Sequence, residues 1–136
     1  MEVERSLVII KPDAIKKKLL GIIIKIYEEN GLTIEDIYMT EASLDMLEKH
    51  YQEHEKRDFY KPLLSFMSSG PVCVLLVSGG NAVEVAREIN GATNPAKARP
   101  GTIRYLFGTD VQKNVVHGSA NTEDAKREIK IWFNME

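Results

Sequence analysis

Two short apolar runs constrain this chain more than any other feature. Residues 5–10 (Arg-Ser-Leu-Val-Ile-Ile) and 72–77 (Val-Cys-Val-Leu-Leu-Val) are almost continuously apolar. Both fall far short of the ~20 residues that cross a bilayer as a helix. They have the length and β-branched content of buried strands instead. Lys11-Pro12-Asp13 bounds the first run, and Ser69-Gly70-Pro71 precedes the second. Proline has no N–H for a central ladder, so the chain must turn at Pro12. A fold with two such strands needs apolar helices to cover them.

Helical patterns follow in the right places. From about 16 to 30, Leu19, Leu20, Ile23, Ile26 and Tyr27 fall on one side, and Ile22 and Ile24 widen that face. An apolar surface this broad suits burial on a sheet or a subunit contact. Gly31 stands where a helix ends in a left-handed residue. Residues 32–39 read as a second strand, and Ser43 as the N-cap of a helix carrying Leu44, Leu47 and Tyr51. Further helices are expected at about 60–68 and 81–90, the latter stopped by Gly91, and a short one at 122–127 after Asn121. Glu128 to Phe133 reads as the closing strand. This order predicts an α+β, ferredoxin-like α/β sandwich, a four-stranded antiparallel sheet covered by helices with one long basic loop. No repeat, low-complexity tract or Pro/Ser linker divides the 136 residues, so a single domain over 1–136 is expected.

Bulk charge excludes little by attraction. A net charge of −2 gives no global pull toward nucleic acid or an anionic membrane, so any anion site must come from local clustering. Cys73 is the only cysteine, which rules out an intrachain disulfide and fits a reducing compartment. Glu2 and Glu4 flank the start and no long apolar region follows, so no signal peptide is read and a cytoplasmic location is expected.

Local clustering occurs in one place. Residues 91–121 read mostly as loop, and a loop that long in a compact domain is either functional or disordered. Between Ile89 and Val116 the only acid is Asp110, against Lys97, Arg99, Arg104 and Lys113, with Arg87 just before. Charge bias alone equally describes a solvated basic loop. Its Gly, Pro, Thr and Asn residues, however, expose N–H groups and hydroxyls that cradle phosphate, and arginine offers bidentate donors. No G-x-x-x-x-G-K-[ST] loop occurs and Gly79-Gly80 is not a dinucleotide fingerprint, so phosphate must be bound by another scheme.

His117, in Asn114-Val-Val-His-Gly-Ser119, stands at the edge of that loop. A neutral imidazole is a competent nucleophile, and attack on a γ-phosphate would give a phosphohistidine whose charge arginines can hold. By itself a histidine before Gly-Ser is more often structural. His50 and His54 lie four apart, a spacing that can ligate metal, but no third ligand is evident and a solvated helix face is expected. Tyr51 and Phe59 also fit core positions, and Lys11 reads as an edge lysine reaching to solvent.

Taken together these segments resemble nucleoside diphosphate kinases. The resemblance runs from Ser6-Leu-Val-Ile-Ile-Lys-Pro-Asp13 through Ser69-Gly-Pro-Val72, Gly91-Ala-Thr-Asn-Pro95 and Pro100-Gly-Thr-Ile-Arg104. It continues through Asn114-Val-Val-His-Gly-Ser119 to Glu128-Ile-Lys-Ile-Trp-Phe133, six blocks in order over essentially the whole chain. It implies ping-pong transfer of the γ-phosphate of a nucleoside triphosphate, mainly ATP, to other nucleoside diphosphates, maintaining NTP and dNTP pools. His117 would be the carrier, with Glu128, aided by Ser119, fixing its tautomer. Lys11 and Tyr51 would contact the transferring phosphate, and Arg87, Thr93 and Arg104 the others. Asn114 and Lys11 would meet the ribose; Phe59, with Val111 opposite and Leu63 nearby, would stack the base without reading its edges. Mg²⁺ would ride on the nucleotide phosphates with no protein metal site, and the partner would be a further copy of the chain, in a tetramer or hexamer.

The family usually has Asp after His-Gly-Ser, where this chain has Ala120, which bears on the Mg²⁺–water shell and the stiffness of the loop. Asp58 stands where Pro is common, and Tyr105-Leu106 where smaller or acidic residues are usual. Two other readings leave residues unexplained. A carrier phosphorylated by another protein needs no nucleotide clamp, yet Phe59, Arg87 and Arg104 are present. A module binding single-stranded nucleic acid needs stacking aromatics on its sheet, and the predicted strands carry almost none; nucleic acid is not required.

Overall fold

The computed structural model describes residues 3–135. Strand β1 (Glu4–Ile10) lies inside a four-stranded sheet of order β2-β3-β1-β4. It pairs antiparallel with β3 (Pro71–Gly79), Leu7 opposite Leu76, and with β4 (Val116–Gly118), Ile9 opposite His117. The outer strand β2 (Thr33–Glu41) pairs antiparallel with β3 and carries an irregularity between Ile34 and Asp36. Residues 6–10 and 72–78 are buried throughout, as two strands covered on both faces must be.

Side-chain alternation sorts these strands into two cores. Val8, Ile10, Leu75 and Val77 face helices α2 (Leu20–Glu29), α5 (Ala82–Asn90) and α6 (Ile103–Phe107), meeting Ile23, Tyr27, Ala86 and Ile103. Leu7, Ile9, Val74 and Leu76 face α3 (Leu44–His50), α4 (Tyr60–Met67) and α7 (Thr122–Phe133), meeting Leu47, Met67, Ile129 and Trp132. The sandwich read from the sequence is the fold observed.

Several caps read from sequence are in place. Ser43 Oγ accepts the Met46 N–H at 3.2 Å, and Asn121 Oδ1 accepts the Asp124 N–H at 2.8 Å. Gly31 follows the C-cap of α2 at φ 90°, a conformation that glycine adopts without penalty.

Three readings are corrected. The helix expected from about 16 to 30 is α2, starting only at Leu20, because a separate α1 (Pro12–Lys16) begins on Pro12 and stops before Lys18, whose φ of 61° cannot continue it. The strand expected over Glu128 to Phe133 is the second half of α7. Its polar–apolar alternation mimics a strand, but Ala125, Glu128, Ile129 and Trp132 are the buried positions, at helical spacing. A buried carboxylate sits on that stripe, and this is why the pattern misleads. The fourth strand is instead the three residues around His117, inside the segment read as loop, which also holds α6.

Candidate active site

The chain enters β4 through Val115, a β-branched residue at φ 67°. Such a conformation costs about 1–3 kcal/mol and persists only where surroundings impose it. Here the Val115 N–H donates to Asp13 Oδ2 at 3.2 Å, its carbonyl accepts the Lys11 N–H at 2.8 Å, and its side chain is fully buried. The turn after β1 thus clamps the residue two before His117. On the other side Gly118 is required: a Cβ there would lie 2.7 Å from Asn90 Nδ2, and Asn90 is buried and accepts the Tyr27 hydroxyl.

Between these supports stands His117. Its Nε2 is 2.9 Å from Glu128 Oε1, and the same oxygen accepts the Ser119 hydroxyl at 2.7 Å. Ser119 is itself tied to β1, donating its N–H to the Leu7 carbonyl at 3.1 Å while its Oγ accepts the Leu7 N–H at 3.2 Å. A carboxylate can only accept, so Nε2 carries the hydrogen and Nδ1 keeps the ring's lone pair. Glu128 is held by helix α7, His117 by the sheet, and the geometry leaves one nitrogen nucleophilic.

Cationic donors gather around that nitrogen's cleft, a cavity of about 1040 Å³, large enough for a nucleotide-sized ligand. Lys11 Nζ donates to Asn114 Oδ1 at 2.8 Å, and Asn114 Nδ2 donates to the carbonyls of Thr93 (2.9 Å) and Val111 (3.0 Å). Burial first, and neighbouring Arg104 second, push the Lys11 ammonium down to about 7, with Asp13 partly opposing. An anion would restore the charge. Arg104 braces the loop, donating to the carbonyls of Gly91 (2.8 Å) and Val116 (2.7 Å), and its Nε is buried without a partner. Arg87 donates to the Ala120 carbonyl at 3.1 Å. The Tyr51 hydroxyl is buried without a partner, and burial raises its pKa, so it remains a donor.

At the mouth the chemistry changes. Phe59 is 48% and Val111 58% exposed, with Leu63 behind. Two apolar side chains held open to water fit a flat ring better than a polar edge.

Every site residue singled out from the sequence lines this cleft except Ser119, which is fully buried and reaches it only through Glu128. Lys11 is not an edge lysine but 6% exposed, because its ammonium is capped by Asn114. His50 is not on a solvated face. It is 2% exposed, accepts the Trp132 indole N–H at Nδ1 (2.9 Å), and packs edge to face on His117. Asp13, Asn90 and Tyr27 are further supports that the sequence did not single out; the buried polar side chain flanking an apolar run was the only available signal. Among the described residues, no helix is long and apolar enough to cross a membrane.

Comparison with known proteins agrees with this geometry. The family model described as nucleoside diphosphate kinase matches residues 4–136. A nucleoside diphosphate kinase of Caldanaerobacter subterraneus subsp. tengcongensis is 49% identical over 96% of this chain and 94% of its own. One from Methanocaldococcus jannaschii is 45% identical over 96% and 93%. Among solved structures, the Aquifex aeolicus nucleoside diphosphate kinase superposes with a TM-score of 0.92 at 39% identity, covering 96% of this chain and 94% of that one. The Encephalitozoon cuniculi nucleoside diphosphate kinase gives 0.95 at 38% identity, covering 97% and 90%. The chain belongs to the nucleoside diphosphate kinase family and is an enzyme of phosphoryl transfer between nucleotides.

Proposed function

We propose that one domain over residues 1–136 transfers the γ-phosphate of a nucleoside triphosphate, mainly ATP, to other nucleoside diphosphates in a ping-pong cycle through a phosphohistidine at His117. The observation that carries this is the 2.9 Å contact of His117 Nε2 with Glu128, which leaves Nδ1 as the lone pair. That pair attacks the γ-phosphorus; the N–P bond forms as the bond to the β,γ-bridging oxygen breaks, and the diphosphate leaves with its electrons. The Nε2 hydrogen stays on the hydrogen bond to Glu128, whose charge offsets the positive ring. A second diphosphate reverses the step, so no net proton transfer is needed.

Around this step Lys11 and Tyr51 meet the moving phosphoryl group, and Arg87, Thr93 and Arg104 hold the remaining phosphates. Lys11 and Asn114 meet the ribose, while Phe59, Val111 and Leu63 hold the base. Ser119 acts through Glu128.

Magnesium fits this arrangement as cargo of the nucleotide. Among the described residues, the one grouping of three His, Cys, Asp or Glu ligand atoms is His50, His117 and Glu128, and its carboxylate is already shared by His117 and Ser119. A cation on the substrate's phosphates, with water completing its shell, needs only the donors that hold those phosphates. Bound there, Mg²⁺ would supply charge neutralisation for the phosphates that Arg87, Thr93 and Arg104 hold. Ala120 offers no side-chain ligand to that water shell; its carbonyl takes Arg87 instead.

The same reading makes the enzyme a cytoplasmic homo-oligomer, tetramer or hexamer, that maintains NTP and dNTP pools without requiring nucleic acid. Its test is His117→Ala. The variant should bind ADP and Mg²⁺ within about threefold of wild type, because binding energy comes from phosphate donors, and should transfer no phosphate. Turnover above background in that variant would rule out a covalent route.

A further inference from the structure

Among the described residues, three that line the cleft carry a buried side-chain hydrogen-bonding atom without a partner: Tyr51 Oη, Arg104 Nε and His50 Nε2. Buried donors without partners are rare, and a cluster of them facing one cavity indicates an acceptor that the cavity is built to receive. Tyr51 and Arg104 belong to the phosphate-binding set already described. His50 does not.

The protonation of His50 follows from its neighbour. Trp132 Nε1 is a donor only, and it donates to His50 Nδ1 at 2.9 Å. The lone pair is therefore on Nδ1 and the hydrogen of the neutral ring on Nε2. Burial, followed by the nearby His117, Arg127, Lys11 and His54, holds His50 well below the usual histidine range, so the ring stays neutral. What remains is a fixed N–H donor without an acceptor. Its ring centroid is 4.5 Å from that of His117. One nitrogen of each ring and one Glu128 oxygen lie within 4.8 Å of one another.

The same proximity would suit a metal ion on His50, His117 and Glu128, but the tautomer argues against it. Metal ligation needs a lone pair, and the indole leaves none on His50 Nε2. A hydrogen-bond acceptor fits where a cation does not. A phosphoryl group on His117 places three anionic oxygens two bonds out from the ring nitrogen, in the cleft that His50 also lines.

We propose that His50 is a phosphoryl-binding residue of this enzyme, its Nε2–H donating to an oxygen of the group carried by His117, and that Trp132 is the positioning residue that fixes the donor tautomer. This rests on the phosphohistidine reading. Among the described residues no side chain or backbone group accepts from this donor, and the phosphoenzyme supplies an acceptor. His50 thereby favours the charged intermediate over the empty site, which is how a donor accelerates a step rather than only tightening binding.

The experiment is single-turnover phosphorylation by γ-labelled ATP with Mg²⁺, run on wild type, His50→Leu, His50→Gln and Trp132→Phe. Losing one hydrogen bond to an anionic acceptor should slow labelling of the Leu variant about 10- to 100-fold, with nucleotide affinity within about threefold. The Gln variant carries an amide N–H where Nε2–H stood and should recover to within about fivefold of wild type. Trp132→Phe should fall between, and ¹⁵N–¹H spectra should show its His50 ring losing the single tautomer. In wild type, phosphorylation of His117 should move the His50 Nε2–H resonance downfield and slow its exchange.

A folded Leu variant that is labelled within about twofold of wild type, or a Gln variant no better than Leu, overturns the role of His50. So does an unshifted His50 resonance in the phosphorylated wild-type enzyme, and this readout survives even if His50→Leu does not fold. Absence of label on wild type would overturn the phosphohistidine reading as well. Labelled wild type with an unaffected Leu variant overturns His50 alone.

Discussion

At the inner end of the cleft His117, Glu128, Ser119, Lys11 and Asn114 are each held by hydrogen bonds to a different part of the chain. At its mouth Phe59 and Val111 stand about half exposed and offer only apolar surface. On the proposed mechanism the inner end is fixed where charge moves, and fixing it costs strain at Val115 and burial of Lys11. The mouth invests nothing in base edges. Every nucleobase has an apolar face, so the contrast predicts tight control of the phosphoryl step together with tolerance of the base.

Substitutions at the two ends should therefore differ in kind. After His117→Ala, Lys11→Met should have the largest effect, lowering kcat/KM by at least about 100-fold, because it removes a charged donor from the inner end and leaves Asn114 Oδ1 without its partner. The same residue gives a pH signature. Below about pH 7 the folded and unfolded chains both hold the Lys11 proton; between about 7 and the ordinary 10.5 only the unfolded chain does. Lys11 therefore makes stability rise with pH across that window. Denaturation midpoints measured at several pH values from 7 to 10 should show the rise in wild type and a flatter profile in Lys11→Met.

Glu128→Gln comes next. The amide can still accept from Nε2–H but brings no charge to offset the phosphorylated ring, so kcat should fall about 10- to 50-fold with little change in melting temperature. Unfolding of this variant would show that Glu128 is chiefly a structural anchor for α7. Phe59→Ala, at the mouth, should raise KM for purine and pyrimidine nucleotides alike by about three- to tenfold and leave kcat near wild type. A loss confined to one base would contradict a non-reading clamp. The smallest change is expected for Ala120→Asp, which should keep or modestly raise turnover; a large loss would show that this loop is arranged differently around the phosphates.

The contrast also explains what could be read in the sequence. Continuous apolar runs reveal β1 and β3 because residues 6–10 and 72–78 are buried on both faces. Capping side chains reveal helix starts at Ser43 and Asn121 because that chemistry is local. His117 and its companions were legible through family-like blocks rather than through any one motif. Non-local requirements defeated the reading elsewhere. Glu128 occupies a buried position that apolar patterning assigns to a core residue, so α7 looked like a short helix and a strand. His50 looked solvated because its partner, Trp132, lies 82 residues away. β4, three residues long, is specified by β1 and by the clamp on Val115 rather than by its own composition.

The most direct test is incubation of the enzyme with γ-labelled ATP and Mg²⁺, followed by a chase with excess GDP. Acid-labile, base-stable label on His117 that passes quantitatively to GTP is the predicted result. A folded protein that takes up no label, or GTP formed without label ever residing on His117, would contradict a phosphohistidine built on the Glu128 contact.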